Sequence, residues 1–327
     1  MNATDAEVLG TALAWLEEGQ RVALVTVVET WGSAPRPVGS LLAVREDGRF
    51  FGSVSGGCIE EHLVARIDQE FPALPYLTGY GVTADEARRF GLPCGGNLRL
   101  VVEPVMDPAS IARVVAEIRQ RRRICRTLDM SSGVAAVAAA VGEQSFSFDG
   151  SLLVNIHGPR WRLILVGAGH LARYLAQFAQ MLDFSVFVSD PRPEYRSQWD
   201  LAGAPLLDGM PDDAILELGV DAFTAIITTA HDPKVDDMAL LEALKSEAFY
   251  VGALGSKRTS ASRRIRLGLF DLTEQQIDRL HAPAGLTIGS HTPPEIALAM
   301  IAEVIAVRNG ITPRQPPSMA PGRVSIV

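Results

Sequence analysis

An unbroken apolar run, Leu163-Ile164-Leu165-Val166, stops at Gly167-Ala168-Gly169; an amphipathic stretch to Leu182 follows, and a second apolar run over residues 185–189 ends in Asp190. A run with no polar interruption suits a parallel strand covered on both faces. Leu171, Leu175, Phe178 and Leu182 recur at helical spacing, so they are expected to face that sheet. The pattern therefore predicts strand, glycine turn, helix, strand and acid. Further strands are expected over 225–229 and 249–254, with a helix over 238–244 between them. The second of these strands runs into Gly255-Ser256-Lys257-Arg258 and a helix carrying Arg263, Arg264 and Arg266. Thr292-Pro293-Pro294-Glu295 offers an N-cap, a proline at the first helical position and a capping-box glutamate, and Arg308 and Gly310 mark the exit of that last helix. Strand and helix alternating in this way predict a Rossmann-like, doubly wound parallel sheet of the α/β class.

The first half has a different rhythm. A helix is expected over 5–18 and a strand over 21–29. The loop at 30–39 is rich in glycine and proline, and a hairpin about Asp47-Gly48 joins strands over 40–45 and 49–54. The second of these leads into Ser55-Gly56-Gly57-Cys58-Ile59-Glu60-Glu61-His62 and a helix over 63–71. A short helix over 84–90 is expected before Cys94-Gly95-Gly96, then a strand over 98–105. Next come a helix over 109–120 with Ile111, Val114, Val115 and Ile118 as its buried stripe, a strand over 124–128, and a hairpin about Asp149-Gly150. Strands in hairpins make this an α+β domain. His157-Gly158-Pro159 reads as the linker, giving a separate N-terminal α+β domain at 1–157 and the Rossmann-like domain at 158–327.

Two domains agree with a chain of 327 residues. The net charge of −8 argues against a nucleic-acid footprint, which needs a basic face. The first residues lack the basic and apolar regions of a signal peptide, and no segment reaches spanning length without charges or helix breakers, so a cytoplasmic protein with no membrane contact is expected. Three cysteines are too few and too scattered for a disulfide framework, and with six histidines they do not supply the paired spacing of a structural zinc site.

Within these elements, Gly167 permits a tight turn and Gly169 lets backbone N–H groups approach a phosphate at a helix N-terminus, with His170 beside them; Ala172 stands where a third glycine is usual. Asp190 is placed to accept hydrogen bonds from ribose hydroxyls. His231 and Asp232 fall at the carboxyl end of a parallel strand, where such sheets bind ligands, making His231 an acid–base candidate; the alternative is that Asp232 caps the next helix. Of the basic group Lys257, Arg258, Arg263, Arg264 and Arg266, only Lys257 and Arg258, with Gly255 and Ser256 before them, lie close enough to the strand end to bind phosphate together with the Gly167 turn; the alternative for the group is a solvated helix face. Cys58, after Gly56 and Gly57, is expected at a helix N-terminus, where free N–H groups and the helix dipole favour thiolate. Cys94 is its mirror case, preceding a glycine pair. The bland alternative for both is a small apolar residue at a tight turn. His62 is a weaker candidate to share a helical face with Cys58, and Cys125 is assigned to the core.

Taken together, Gly32-Ser33-Ala34-Pro35, Gly52-Ser53-Val54-Ser55-Gly56-Gly57-Cys58-Ile59-Glu60, Cys94-Gly95-Gly96, Gly167-Ala168-Gly169-His170, Thr229-Ala230-His231-Asp232, Gly252-Ala253-Leu254-Gly255-Ser256-Lys257-Arg258 and Pro294-Glu295-Ile296-Ala297 closely resemble the xanthine dehydrogenase accessory family of the XdhC/CoxI type over almost the whole chain. The resemblance implies a cofactor-maturation chaperone rather than a conventional enzyme. Such a factor holds molybdenum cofactor (molybdopterin), supports its sulfuration with a cysteine desulfurase, and passes it to a xanthine dehydrogenase-type apoenzyme. Cys58, alone or with Cys94, is then expected to contact the molybdenum end while Gly167, Gly169, Lys257 and Arg258 hold the phosphate end. A homodimer through the apolar helix at 296–307 is expected. The competing reading is an NAD(P)-dependent oxidoreductase with His231 as proton donor and Asp190 on the ribose; a third is a module that binds the dinucleotide only as a structural or sensing ligand.

Overall fold

The computed structural model describes residues 5–31, 36–81, 97–141 and 146–311. The short helix expected over 84–90, Cys94 with its glycines, residues 32–35 and the tail from Thr312 lie outside them. The chain divides into two compact units, Met1–Pro159 and Arg160–Val327.

In the N-terminal unit, β1 (Val22–Trp31), β2 (Leu41–Arg45), β3 (Phe50–Gly52), β4 (Tyr76–Tyr80) and β5 (Asn97–Pro104) form an antiparallel sheet in the order β3-β2-β1-β5-β4. The apolar run of β1 is explained by cover on both faces. Ala23, Val25 and Val27 pack with Leu63 and Ile67 of α2 (Glu60–Gln69). Val22 and Leu24 pack with Val8 and Leu9 of α1 (Asp5–Glu17) and Ile111, Val114 and Ile118 of α3 (Pro108–Arg119). A second sheet of β6 (Ile124–Asp129), β7 (Ala135–Ala139), β8 (Ser147–Phe148) and β9 (Leu152–His157), in the order β7-β6-β9-β8, meets the first through Val28, Val101, Leu128 and Leu153. Arg126 of β6 and Glu103 of β5 form a buried ion pair. Cys125 is buried, as its strand setting implies. His157, read as linker, is instead the last residue of β9; it is buried, with Nδ1 3.2 Å from Asp5 Oδ2. Strand pairing with β6 carries the chain one residue further than turn chemistry suggests.

In the C-terminal unit, β10 (Arg162–Val166), β11 (Ser185–Ser189), β12 (Thr224–Thr228), β13 (Tyr250–Ala253) and β14 (Leu280–His281) form a parallel sheet in the order β11-β10-β12-β13-β14. Leu163 and Leu165 face α4 (His170–Met181) and α10 (Pro293–Arg308), while Ile164 and Val166 face α6 (Pro211–Leu218), α7 (Pro233–Ala243) and α8 (Lys257–Leu267). The sheet is doubly wound as expected, and two short helices, α5 (Pro193–Arg196) and α9 (Glu274–Asp278), lie in its connections. The face of α4 is in part the expected one: Leu175 is buried, and half-buried Leu171 and Phe178 pack against the same core, but Ala172, Ala176 and Ala179 are buried with them and Leu182 is 40% exposed beyond the helix. Alanines on the inner face let the helix axis approach the sheet closely. Ala297, Met300, Ile301 and Val304 of α10 lie in the core of their own unit, while Leu298 of the same helix is 50% exposed. Among the described residues no helix is long and apolar enough to cross a membrane.

Candidate functional site

The strand order reverses direction between β10 and β12, so the loops leaving their carboxyl ends diverge to opposite faces and open the crevice where sheets of this kind bind ligands. Gly167, with φ 107°, turns the chain out of β10. A Cβ there would stand 2.7 Å from Ala230 N and 2.8 Å from Ala230 Cα, so glycine is what lets the loops after β10 and β12 touch. Gly169 is the N-cap of α4 and supplies no side-chain cap, and His170, the first helical residue, is exposed with its ring edge-on to Tyr174. The first-turn N–H groups of α4 are thus the available donors of this turn.

Asp190 does not present its carboxylate to a ribose. It is fully buried; Oδ2 accepts from Ala168 N at 2.8 Å and Arg192 Nη2 at 2.7 Å, and Oδ1 accepts from Arg192 N at 3.0 Å and Arg192 Nε at 2.9 Å. Burial pushes this carboxyl up, but the Arg192 guanidinium and the Ala168 N–H outweigh it and hold it below its ordinary range. Arg192 also donates from Nη1 to Ala230 O at 3.1 Å and lies 3.9 Å from the centre of the Tyr195 ring. Asp190 and Arg192 together clasp the two loops of the crevice.

After β12, His231 is exposed, with φ 58°, a left-handed conformation uncommon outside glycine and found often at binding sites. Asp232 takes its structural alternative: Oδ1 accepts from Lys234 N at 2.9 Å, making Asp232 the N-cap of α7. Asp232→Ala is expected to cost about 1 kcal/mol in thermal unfolding, the usual loss for a capping carboxylate. Ala230 N donates to Asp236, whose carboxyl burial pushes up to about 6 against the pull of Arg263.

After β13, Ser256 caps α8 through Oγ, which accepts from Thr259 N at 3.1 Å, and Lys257 and Arg258 are exposed on the first turn. Gly255 leaves room for Thr259 Oγ1, which would stand 2.7 Å from a Cβ. The later arginines of α8 are structural. Arg263 is buried, bonded to Asp236 at 3.1 Å and Leu254 O at 3.0 Å; Arg266 pairs with Asp237 at 2.6 Å; Arg264 donates to Ile277 O and Leu280 O. The last residues of β11 and β12, Ser189 and Thr228, have buried hydroxyls that meet no hydrogen-bond partner among the described residues, and Ser260 on α8 is a third case.

The N-terminal unit organises its glycine pair around a residue that motif reading passes over. Glu60, buried at the start of α2, accepts from Ser53 Oγ at 2.7 Å, Val54 N at 3.0 Å, Ser55 N at 2.9 Å, Gly57 N at 3.1 Å, Ile59 N at 3.2 Å and from Ser55 Oγ. Burial pushes the Glu60 carboxyl up, but these hydroxyls and N–H groups hold it down at about 2. Cys58 is exposed on the loop that Glu60 ties together, and its N–H donates to Ser55 Oγ at 3.0 Å. It stands one residue before the N-cap, Ile59. The free N–H groups expected beside its sulfur are therefore taken, those of Gly57 and Ile59 by Glu60. Gly56 and Gly57 both have positive φ, 78° and 107°, as the tight loop requires. His62 turns to Tyr80, with Nδ1 3.2 Å from the phenol oxygen. Among the described residues no group of three His, Cys, Asp or Glu side chains is arranged to hold a metal ion.

Glu60 and Arg192 are the site residues that motif reading misses. Each leaves a faint sign: an acid two residues after Cys58, and an arginine two residues after Asp190.

Known families and structures resemble the chain. The XdhC Rossmann domain matches residues 163–304 and the XdhC and CoxI family matches residues 15–71. The molybdenum cofactor insertion chaperone PaoD of Escherichia coli (strain K12) is 27% identical over 92% of this chain and 88% of its own. A probable xanthine dehydrogenase component of Bacillus subtilis (strain 168) is 26% identical over 91% of this chain and 96% of its own. The crystal structure of a xanthine dehydrogenase from Bacillus halodurans superposes with a TM-score of 0.73 at 25% identity, covering 96% of this chain and 98% of that one. With its parallel sheet, its glycine turn and its Cys58 loop all falling inside the matched segments, the chain belongs to the XdhC and CoxI family.

Proposed function

We propose that the protein is an accessory factor that holds molybdenum cofactor, supports its sulfuration and delivers it to a xanthine dehydrogenase-type hydroxylase. One observation carries this reading beyond the likeness to the Escherichia coli chaperone: α4, α7 and α8 all begin at the carboxyl edge of one parallel sheet, beside Arg192, Lys257 and Arg258. Helix N-termini and cations suit the phosphate end of a pterin or nucleotide. The unpartnered hydroxyls of Ser189 and Thr228 at the same strand ends fit a polar ligand. Gly167, Gly169, His170, Gly255, Ser256, Lys257 and Arg258 are assigned to this grip, with His231 at its rim. In the N-terminal unit, taken by itself, Cys58 on its loop with Gly56 and Gly57 is assigned to the soft molybdenum–sulfur end, with Cys94 as a second sulfur. A cysteine desulfurase, the apoenzyme and a second copy of the chain are the proposed partners; sedimentation equilibrium checks the last.

The NAD-dependent form of the competing oxidoreductase reading needs a carboxylate open to ribose, and Asp190 is closed by Arg192. Cys58→Ala is expected to fold normally and to lose most of its ability to activate a molybdenum-free hydroxylase with added cofactor. Full activation by Cys58→Ala would remove the sulfur assignment.

A further inference from the structure

The carboxyl edge of the parallel sheet has one feature that a dinucleotide site does not. In such sites the acid after the second strand bonds the ribose hydroxyls, and where an arginine stands nearby it accommodates a phosphate on that ribose instead. Here the acid has no free lone pair to offer outward. Asp190 is 0% exposed, and its oxygens accept from Ala168 N, Arg192 N, Arg192 Nε and Arg192 Nη2.

The arginine is the reverse case. Its side chain is 20% exposed, and of the five N–H groups of a guanidinium those engaged are Nε and one each on Nη1 and Nη2. One N–H on each terminal nitrogen is left. The group is also held still: the bidentate pair with Asp190, the bond to Ala230 O at 3.1 Å and the Tyr195 ring at 3.9 Å fix it on different sides. A guanidinium fixed in this way loses little entropy on meeting an anion and presents the fork geometry that phosphate matches. The buried hydroxyls of Ser189, next in the chain to Asp190, and of Thr228 meet no hydrogen-bond partner among the described residues at these same strand ends.

We propose that Arg192 is the specificity-determining residue of this edge: by closing Asp190 it rejects a ribose diol, and with its two remaining N–H groups it selects a ligand that carries a phosphate at that position. The inference rests on the reading that this edge binds an anion. It adds which anion and by which residue.

NAD and NADP differ only in the phosphate on that ribose, so they probe the proposal directly by titration calorimetry on the full chain. NADP is expected to bind at least about tenfold more tightly than NAD, the effect of one charge-assisted forked contact. That preference is expected to vanish in Arg192→Gln. Because Arg192→Gln leaves a buried carboxylate without its partner, the double variant Asp190→Asn/Arg192→Gln, which removes both charges, is measured beside it and is expected to show the same loss. Equal affinity of the wild-type chain for the two probes, including no binding of either, overturns the proposal, as does a preference for NADP that survives in the double variant. The chaperone reading is tested separately by molybdenum content. A chain that carries molybdenum yet treats NAD and NADP alike loses Arg192 and keeps the function.

Discussion

Gly167→Ala is expected to lower the stability of the chain by about 3 kcal/mol and to abolish anion binding at the sheet edge. Two costs add. The backbone there has φ 107°, a region in which a side chain is strained by about 1–3 kcal/mol. The new Cβ would also stand 2.7 Å from Ala230 N, a backbone atom that has no rotamer by which to yield. The loop after β12 would be pushed away, taking Ala230 from Asp236 and from Arg192. Gly57→Ala separates the two costs, since Gly57 has the same φ of 107° and nothing within 4 Å of where its Cβ would go. Denaturant unfolding of both variants should show the larger loss at position 167. Equal losses would mean that the approach of the two loops contributes nothing.

Glu60→Ala is expected to have the other large effect, about 3–5 kcal/mol, because buried N–H and hydroxyl donors that now share one carboxylate would be left without an acceptor. The loop bearing Cys58 would lose its tether, so alkylation of Cys58 by a small reagent should change in rate while the C-terminal unit keeps its far-ultraviolet spectrum. The pH dependence has a definite sign. The Glu60 carboxyl is held at about 2 in the folded chain against an ordinary 4.5, so the folded state favours the ionised form. Its contribution is complete above the ordinary value and is withdrawn as pH falls from 4.5 towards 2. Acid unfolding of wild type should therefore be steeper over that window than unfolding of Glu60→Gln. Parallel curves would remove Glu60 as the organiser of the loop.

Much of the C-terminal fold is legible in the amino-acid sequence, because its signals are local. An apolar run, a glycine turn and helical spacing need no knowledge of what lies across the sheet. What the sequence hides depends on partners. Periodicity marks Leu171, Leu175, Phe178 and Leu182 as the inner face of α4 and is right for Leu175, but it does not mark Ala172, Ala176 and Ala179, which also lie in the core, since small residues allow an approach that spacing alone does not weigh. Asp190 stands where a ribose acid should stand, but the direction of its carboxylate is decided by Arg192 and by Ala168 N. Glu60 is visible only as part of a string; its role appears when the chain from Ser53 to Ile59 folds back over it. The strand order β11-β10-β12-β13-β14, which opens the crevice between β10 and β12, is a matter of register across long separations and leaves no mark in any one segment.

The grip on an anion at the carboxyl edge of the sheet is the claim on which the functional reading stands, and molybdenum content tests it most directly. The chain is purified from cells that make the cofactor, beside Lys257→Glu/Arg258→Glu, and metal is measured per protein by mass spectrometry. Wild type is expected to retain molybdenum together with pterin, and the charge-reversed variant about tenfold less or lower. A wild-type chain free of molybdenum, or a variant carrying as much as wild type, would contradict the account.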